Sequence, residues 1–175
     1  GDHRDLHYPL RRQRQMCIRD RFESSAIVNN NATAGDGGGY ASSDGPVSLA
    51  NSIVWGNRAS GTGHIGSFTS TGVKTVNLYD SIVENNGDNN ITDDGYFSAS
   101  DTVTVVDSGT NYDAYPNFVN FTTKGDYHLN APSIAIDNAA DNSGRGIPTD
   151  DLDGNSRIGG SEDIGAYEYQ ATAGN

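Results

Sequence analysis

Asn51-Ser52-Ile53-Val54-Trp55-Gly56-Asn57 is the stretch on which the fold turns, because the chain writes it three times. Ser25-Ala26-Ile27-Val28-Asn29-Asn30-Asn31 precedes it and Asp80-Ser81-Ile82-Val83-Glu84-Asn85-Asn86 follows it, and the three align without a gap. The later two copies share a lead-in, Val47-Ser48-Leu49-Ala50 and Val76-Asn77-Leu78-Tyr79. Val103-Thr104-Val105-Val106-Asp107-Ser108 repeats that lead-in, with Val103 in the place of Val76. Each unit reads as a short alternating strand, a corner of one or two residues, a second short strand, and a loop rich in Gly, Asn and Asp. Recurrence at a fixed period marks a repeat architecture, in which no unit buries its apolar face alone.

A period near 27 with two or three short strands is what one coil of a parallel β-helix requires, each coil pairing edge-on with its neighbours about 4.8 Å away. Leucine-rich repeats share the period but need a Leu-x-x-Leu-x-Leu framework, which is absent. A β-sandwich is the alternative, since short strands separated by regular turns also describe it. The gap-free repeat favours the all-β solenoid, with three to four coils over residues 22–111, a capping region over 112–170 and a short tail over 171–175.

Within the second strand, Ala26, Ser52 and Ser81 share one parity with Val28, Val54 and Val83. Both sets are expected to point inward, the small residue easing a corner. Asn29, Trp55 and Glu84 occupy one variable position, which is expected to face outward. Trp55 is therefore a candidate for stacking on a sugar or, alternatively, for packing under a loop. Asn31, Asn57 and Asn86 are expected to stack as an asparagine ladder, their amides bonding along the stack.

Residues 1–21 do not fit this pattern. They hold six of the eleven Lys and Arg, leaving 20 acidic and 5 basic groups in the remainder. Extending the repeat backwards at the same spacing places Arg21 and Glu23 where Val47 and Leu49 stand. Met16-Cys17-Ile18-Arg19-Asp20-Arg21 resembles translated adapter sequence of the kind found in metagenomic assemblies, so native sequence is expected to begin near Phe22 or Glu23. A remainder this acidic repels phosphate backbones, which argues against a nucleic-acid partner. No apolar run is long enough to span a bilayer. The single Cys17 cannot form an internal disulfide. The first twenty residues lack the apolar segment of a signal peptide, so secretion requires an export signal upstream.

Gly37-Gly38-Gly39-Tyr40, followed by the Asn51–Asn57 stretch, resembles the Gly-Gly and Ser-Ile-x-x-(Gly)-Asn repeats of bacterial right-handed β-helix proteins, including polymorphic outer-membrane and adhesin-like surface proteins. Towards the C-terminus come Tyr115-Pro116-Asn117-Phe118-Val119, Gly125-Asp126-Tyr127-His128-Leu129 and Pro132-Ser133-Ile134-Ala135-Ile136-Asp137. Thr149-Asp150-Asp151-Leu152-Asp153-Gly154-Asn155-Ser156-Arg157 and Asp163-Ile164-Gly165-Ala166-Tyr167-Glu168-Tyr169 complete the series. Their order is similar to the closing region of choice-of-anchor Q surface proteins. The resemblance implies a secreted or cell-surface right-handed parallel β-helix that ends in a sorting or anchoring tail, which residues 171–175 do not supply. The capping region is expected to shield the open end of the solenoid with Tyr115, Phe118, Phe121, Tyr127, Tyr167 and Tyr169.

Little in the sequence specifies chemistry. Asp150, Asp151, Asp153 and Gly154, with Asp163 closing the shell, suggest a calcium site, since hard cations take several oxygens around a tight turn. An EF-hand loop placed on Gly154 would start at Thr149 and need a Glu at Gly160, so it fails at both ends. The alternative is an Asx turn that bonds its own backbone and pairs with Arg157. Asp93-Asp94 and Asp107 have weaker claims. Pectate lyases and polygalacturonases share the β-helix architecture, which raises a polysaccharide lyase or glycoside hydrolase as the alternative function. Lyase chemistry needs a cation against the uronate and a base, and hydrolysis needs two carboxylates at a set separation. Arg58, Lys74, Lys124, Arg145 and Arg157 lie in no recognisable lyase pattern, and His64 and His128 read as loop and strand residues. The expected function is a non-enzymatic surface module, an adhesin-like or display scaffold. Its partners would be carbohydrate or a host-surface ligand and further coils upstream, with calcium the one candidate cofactor.

Overall fold

Short runs of alternating Val, Leu and Ile, broken every few residues by Gly, Asn or Asp, favour strands and give a helix nowhere to propagate. The computed structural model describes residues 20–42, 46–61, 65–68, 74–84, 97–99, 103–122, 125–140, 148–157 and 161–171, and every regular element among them is a strand. Cys17, His64, Asn86, Asp93, Asp94, Lys124 and Arg145 lie outside the described residues.

The first repeat contributes β1 (Asp20–Glu23), β2 (Ala26–Val28), β3 (Asn31–Ala32) and β4 (Tyr40–Ser42). The second contributes β5 (Val47–Ala50), β6 (Ile53–Trp55), β7 (Arg58–Ala59) and β8 (Gly66–Phe68). The third contributes β9 (Lys74–Tyr79), β10 (Ile82–Val83) and β11 (Phe97–Ala99), and the fourth begins with β12 (Val103–Ser108). Strands at equivalent places pair in parallel, giving sheets ordered β1-β5-β9-β12, β2-β6-β10, β4-β8-β11 and β3-β7. An antiparallel pair, β13 (Phe118–Asn120) with β14 (Asp126–Leu129), follows them.

The register corrects the one expected from the sequence. Phe22 pairs with Leu49, and Ile27 with Val54, so the first repeat is slipped by one position from the gap-free alignment, which sets Glu23 on Leu49 and Val28 on Val54. Phe22 thus faces the core, while Arg21 and Glu23 flank it and bond to each other. The expected clash of Arg21 and Glu23 with apolar positions does not arise, and β1 begins at Asp20, before the expected junction. The fourth repeat also shifts. Val105, not Val103, stands opposite Val76, and Asp107 stands opposite Leu78.

Backbone conformation sets this register. Ser24, Asn51 and Asp80 turn the corner after β1, β5 and β9 with φ of 41°, 46° and 46°, and Gly109 does so after β12 with φ of 83°. This left-handed region is costly for most residues and tolerated by Asn, Asp and Gly. Aligning those four corners reproduces the observed pairing.

Two apolar clusters result. Val47, Leu49, Val54, Ile65, Val76, Leu78 and Val83 form one of them, together with Tyr40 and Val103. The other face of sheet β2-β6-β10, carrying Val28, Ile53 and Ile82, packs against Phe118, Leu129, Ala135 and Ile164 of the C-terminal region. Val28 therefore faces the opposite way from Val54 and Val83, and Ile27 takes the inward place expected of it.

The expected place of the C-terminal region is over the open end of the stack. Tyr112 does continue sheet β2-β6-β10 past β10, bridging to Ile82 and accepting a hydrogen bond from the Val83 amide at 3.0 Å. Beyond it the chain turns onto the flank, because Ile53, Ile82 and half-buried Trp55 present apolar surface there.

Candidate functional site

The repeats carry their polar side chains into a ladder. Ser25, Ser52 and Ser81 each follow a left-handed corner, which points the hydroxyl back along the chain. Each donates to the carbonyl two residues earlier, at 2.6, 2.8 and 2.9 Å. Ser52 Oγ accepts the amide of Ser25 at 3.3 Å, and Ser81 Oγ accepts that of Ser52 at 3.1 Å. Asn111 Oδ1 accepts the Ser81 amide at 2.8 Å and so terminates the series, its longer side chain reaching where a fourth serine would stand. Ser52 and Ser81 are fully buried, and a buried amide without a partner is costly. Aligning Ser25 with Asn51 hides this ladder by setting Ala26 against Ser52; aligning Ser25 with Ser52 shows three serines in line.

An asparagine pair runs alongside. Asn57 Oδ1 accepts the Asn30 amide at 3.1 Å and Asn30 Nδ2 at 3.0 Å, while Asn57 Nδ2 donates to the Ile27 carbonyl at 2.8 Å. The expected partner, Asn31, is instead exposed and pairs with Arg58 in β3-β7, because the slip of one position puts Asn30 opposite Asn57. Glu84 joins the second and third repeats, taking Arg58 in a two-pronged ion pair at 2.9 and 3.0 Å and the Gly56 amide at 2.8 Å.

Trp55 points to the outer face, as its position implies, and is half-buried there. Its ring meets Tyr115 edge-on at 6.0 Å, and Tyr115 in turn meets Phe118 and Phe121. Phe118 stacks on Phe121 at 5.9 Å and meets Tyr127 edge-on at 5.4 Å. This aromatic group seats the C-terminal layer on sheet β2-β6-β10, and Tyr115 keeps 45% of its surface open.

The four carboxylates that suggest calcium do not converge. Asp151 accepts the amides of Asp153 at 2.9 Å, Asn155 at 2.7 Å and Glu168 at 2.9 Å, together with Asn155 Nδ2 at 3.0 Å. Burial works to raise this carboxyl, but those bonds outweigh it and hold it below the usual range. Asp163 accepts the amides of Asp137 and Tyr169. Asp150 is exposed beside Thr149, and Asp153 bonds to His128. No group of three or more His, Cys, Asp or Glu able to hold a metal occurs among the described residues. The turn at 151–155 closes on its own backbone, as an Asx turn does, but Arg157 bonds elsewhere. Its guanidinium reaches Glu168 at 2.6 Å and the carbonyls of Asp163 and Gly165 at 3.2 and 2.8 Å.

Half-buried Glu168 carries no signal in the sequence, whereas buried Asp163 stands out there only as a calcium candidate. Burial pushes the Glu168 carboxyl up to about 7, against the pull of the Asp163 amide and Arg157. Burial likewise raises Asp163. His128, which reads from the sequence as structural, lies between two carboxylates. Its Nδ1 is 2.5 Å from Asp126 Oδ1 and its Nε2 is 2.7 Å from Asp153 Oδ2. The Asp-x-His spacing within β14 is local, but Asp153 belongs to a distant turn, and only the tertiary fold brings it in.

Comparison with protein-family models, with curated proteins and with solved structures finds no match to this chain.

Proposed function

We propose that this chain is a segment of a right-handed parallel β-helix serving as a non-enzymatic secreted or cell-surface scaffold, adhesin-like or for display. The observation that carries the reading is the use made of the polar side chains. Ser52, Ser81, Asn57 and Asn111 bind the backbone of adjacent repeats, and Asp151, Asp163 and Glu84 hold amides or an arginine in place. Strand pairing supports the β-helix over the sandwich, since the four repeat sheets are parallel and each takes one strand from successive repeats. A scaffold of this kind presents a long, acidic, water-compatible surface whose partners are carbohydrate or a surface ligand. Trp55 and the open side of Tyr115 are its aromatic contact candidates.

The test is incubation of the purified chain with uronate-rich and neutral polysaccharides, with and without calcium, following both retention and cleavage. Retention without release of unsaturated or reducing sugar ends supports the scaffold. Turnover abolished by a single carboxylate substitution would replace it with the lyase or hydrolase alternative.

A further inference from the structure

We propose that His128 is a proton-operated clasp of the C-terminal layer: as an imidazolium it ties the β13-β14 hairpin to the turn at 150–157, and as a neutral ring it lets them part. Both ring nitrogens lie within hydrogen-bond distance of a carboxylate oxygen, Nδ1 at 2.5 Å from Asp126 and Nε2 at 2.7 Å from Asp153. A neutral imidazole has one donor and one acceptor, so either tautomer sets a bare nitrogen against a carboxylate lone pair. Only the imidazolium donates to both. The ring also lies against Tyr167 at 4.1 Å, so strand β14, the 150–157 turn and the segment after residue 161 meet at one side chain. Loss of one proton therefore weakens contacts among three stretches distant in sequence.

The groups facing the ring are Asp126 on its own strand, Asp153 on the turn and the Tyr167 phenol. Asp151 lies further back, its oxygens held by backbone amides. Hydrogen bonds to Asp153 and then Asp126 raise the imidazole above its usual value, with burial opposing them. The same bond lowers Asp126. Burial raises Tyr167, reinforced by Asp153 and Asp126, so the phenol stays neutral while the histidine titrates. Because the folded value lies above the unfolded one, the clasp contributes fully below about pH 6.5 and is lost as pH rises through the folded value. His128, Asp126 and Asp153 are all 40% or more exposed, so added salt should weaken the clasp.

The experiment uses the whole chain in EDTA, so that no cation competes for the carboxylates. The His128 ring is titrated by NMR while amide exchange is followed at 127–129 and 151–155, corrected for the intrinsic effect of pH. The ring should titrate above 6.5, and exchange should quicken as it does, about tenfold for each unit between the two values. In Asp153→Asn the ring midpoint should fall back and the exchange step should move with it. In His128→Gln exchange should be fast throughout, with no step. Exchange that ignores the ring titration would overturn the proposal. So would a step that survives in His128→Gln, which would assign the effect to Glu168.

Discussion

Ser81 shows how little freedom a buried hydroxyl has between repeats. It donates to the Tyr79 carbonyl and accepts the amide of Ser52, itself completely buried, so Ser81→Ala leaves the Ser52 amide without its partner in a site water does not reach, while the Tyr79 carbonyl keeps the Asn51 amide. A loss of about 1–3 kcal/mol is expected in chemical denaturation. Ser25→Ala should cost less, because the Ser25 hydroxyl accepts no amide from a further described repeat. Glu168 acts in the opposite sense to a stabilising ion pair. Its carboxyl sits at about 7 in the folded chain, well above the unfolded value, so the folded state gains from its proton. That contribution is complete below about pH 4.5 and disappears as pH rises through 7, and it is on the order of 3 kcal/mol. Stability measured at pH 5 and pH 8 should therefore fall more in the natural chain than in Glu168→Gln. His128 adds to the fall in both, since its value is also raised. An equal fall in both chains would contradict the assignment to Glu168.

The legibility of strands β2, β6 and β10 is limited by their burial on both faces. A strand with one wet face alternates, and a slip of one position then shows at once. Here Ile27-Val28, Ile53-Val54 and Ile82-Val83 are apolar at both parities, because the C-terminal layer covers the outer face. Matching like with like sets Val28 on Val54, whereas the fold sets Ile27 on Val54. The slip in β12 is hidden for another reason. A shift of two positions preserves parity, so Val103 and Val105 keep their inward places under either alignment. Three of the four corners carry the missing signal, since Asn51, Asp80 and Gly109 are types that accept or favour a left-handed backbone, while Ser24 adopts it without that preference. The seat of the C-terminal layer is testable at Gly56. With φ at 68° and a Cβ there falling 2.2 Å from the Phe121 ring, Gly56→Ala must displace that ring or the corner. A cost of about 1–3 kcal/mol is expected, with faster amide exchange concentrated in β13 and β14. Gly154→Ala is the control, since its φ is 85° but its Cβ meets nothing within 4 Å. It should cost about 1 kcal/mol and leave the layer seated.

At the scale of the molecule, strand class and repeat order are open to sequence reading because the Val-x-(Leu/Val)-x-(Asn/Asp)-Ser pattern recurs at 47–52, 76–81 and 103–108. The placement of the described residues between 112 and 170 is not, because their aromatics are equally suited to an end or to a flank. The choice falls to the flank because sheet β2-β6-β10 offers Val28, Ile53 and Ile82 there, with Gly56 and Gly165 admitting Phe121 and the 164–166 turn close to the strands. The same layer gathers Asp151, Glu168, Arg157 and His128 into contacts between segments that sequence proximity does not foretell. Successive repeats stack in parallel, with Phe22, Leu49 and Leu78 in one row and Ile27 and Val54 in another. NOE spectroscopy of the labelled chain tests it most directly. Amide-to-Hα contacts should connect β5 to β1 on one side and to β9 on the other, in the register that sets Leu49 between Phe22 and Leu78. Close Hα-to-Hα contacts of antiparallel pairing between these strands, or a row that sets Val28 on Val54, would contradict it.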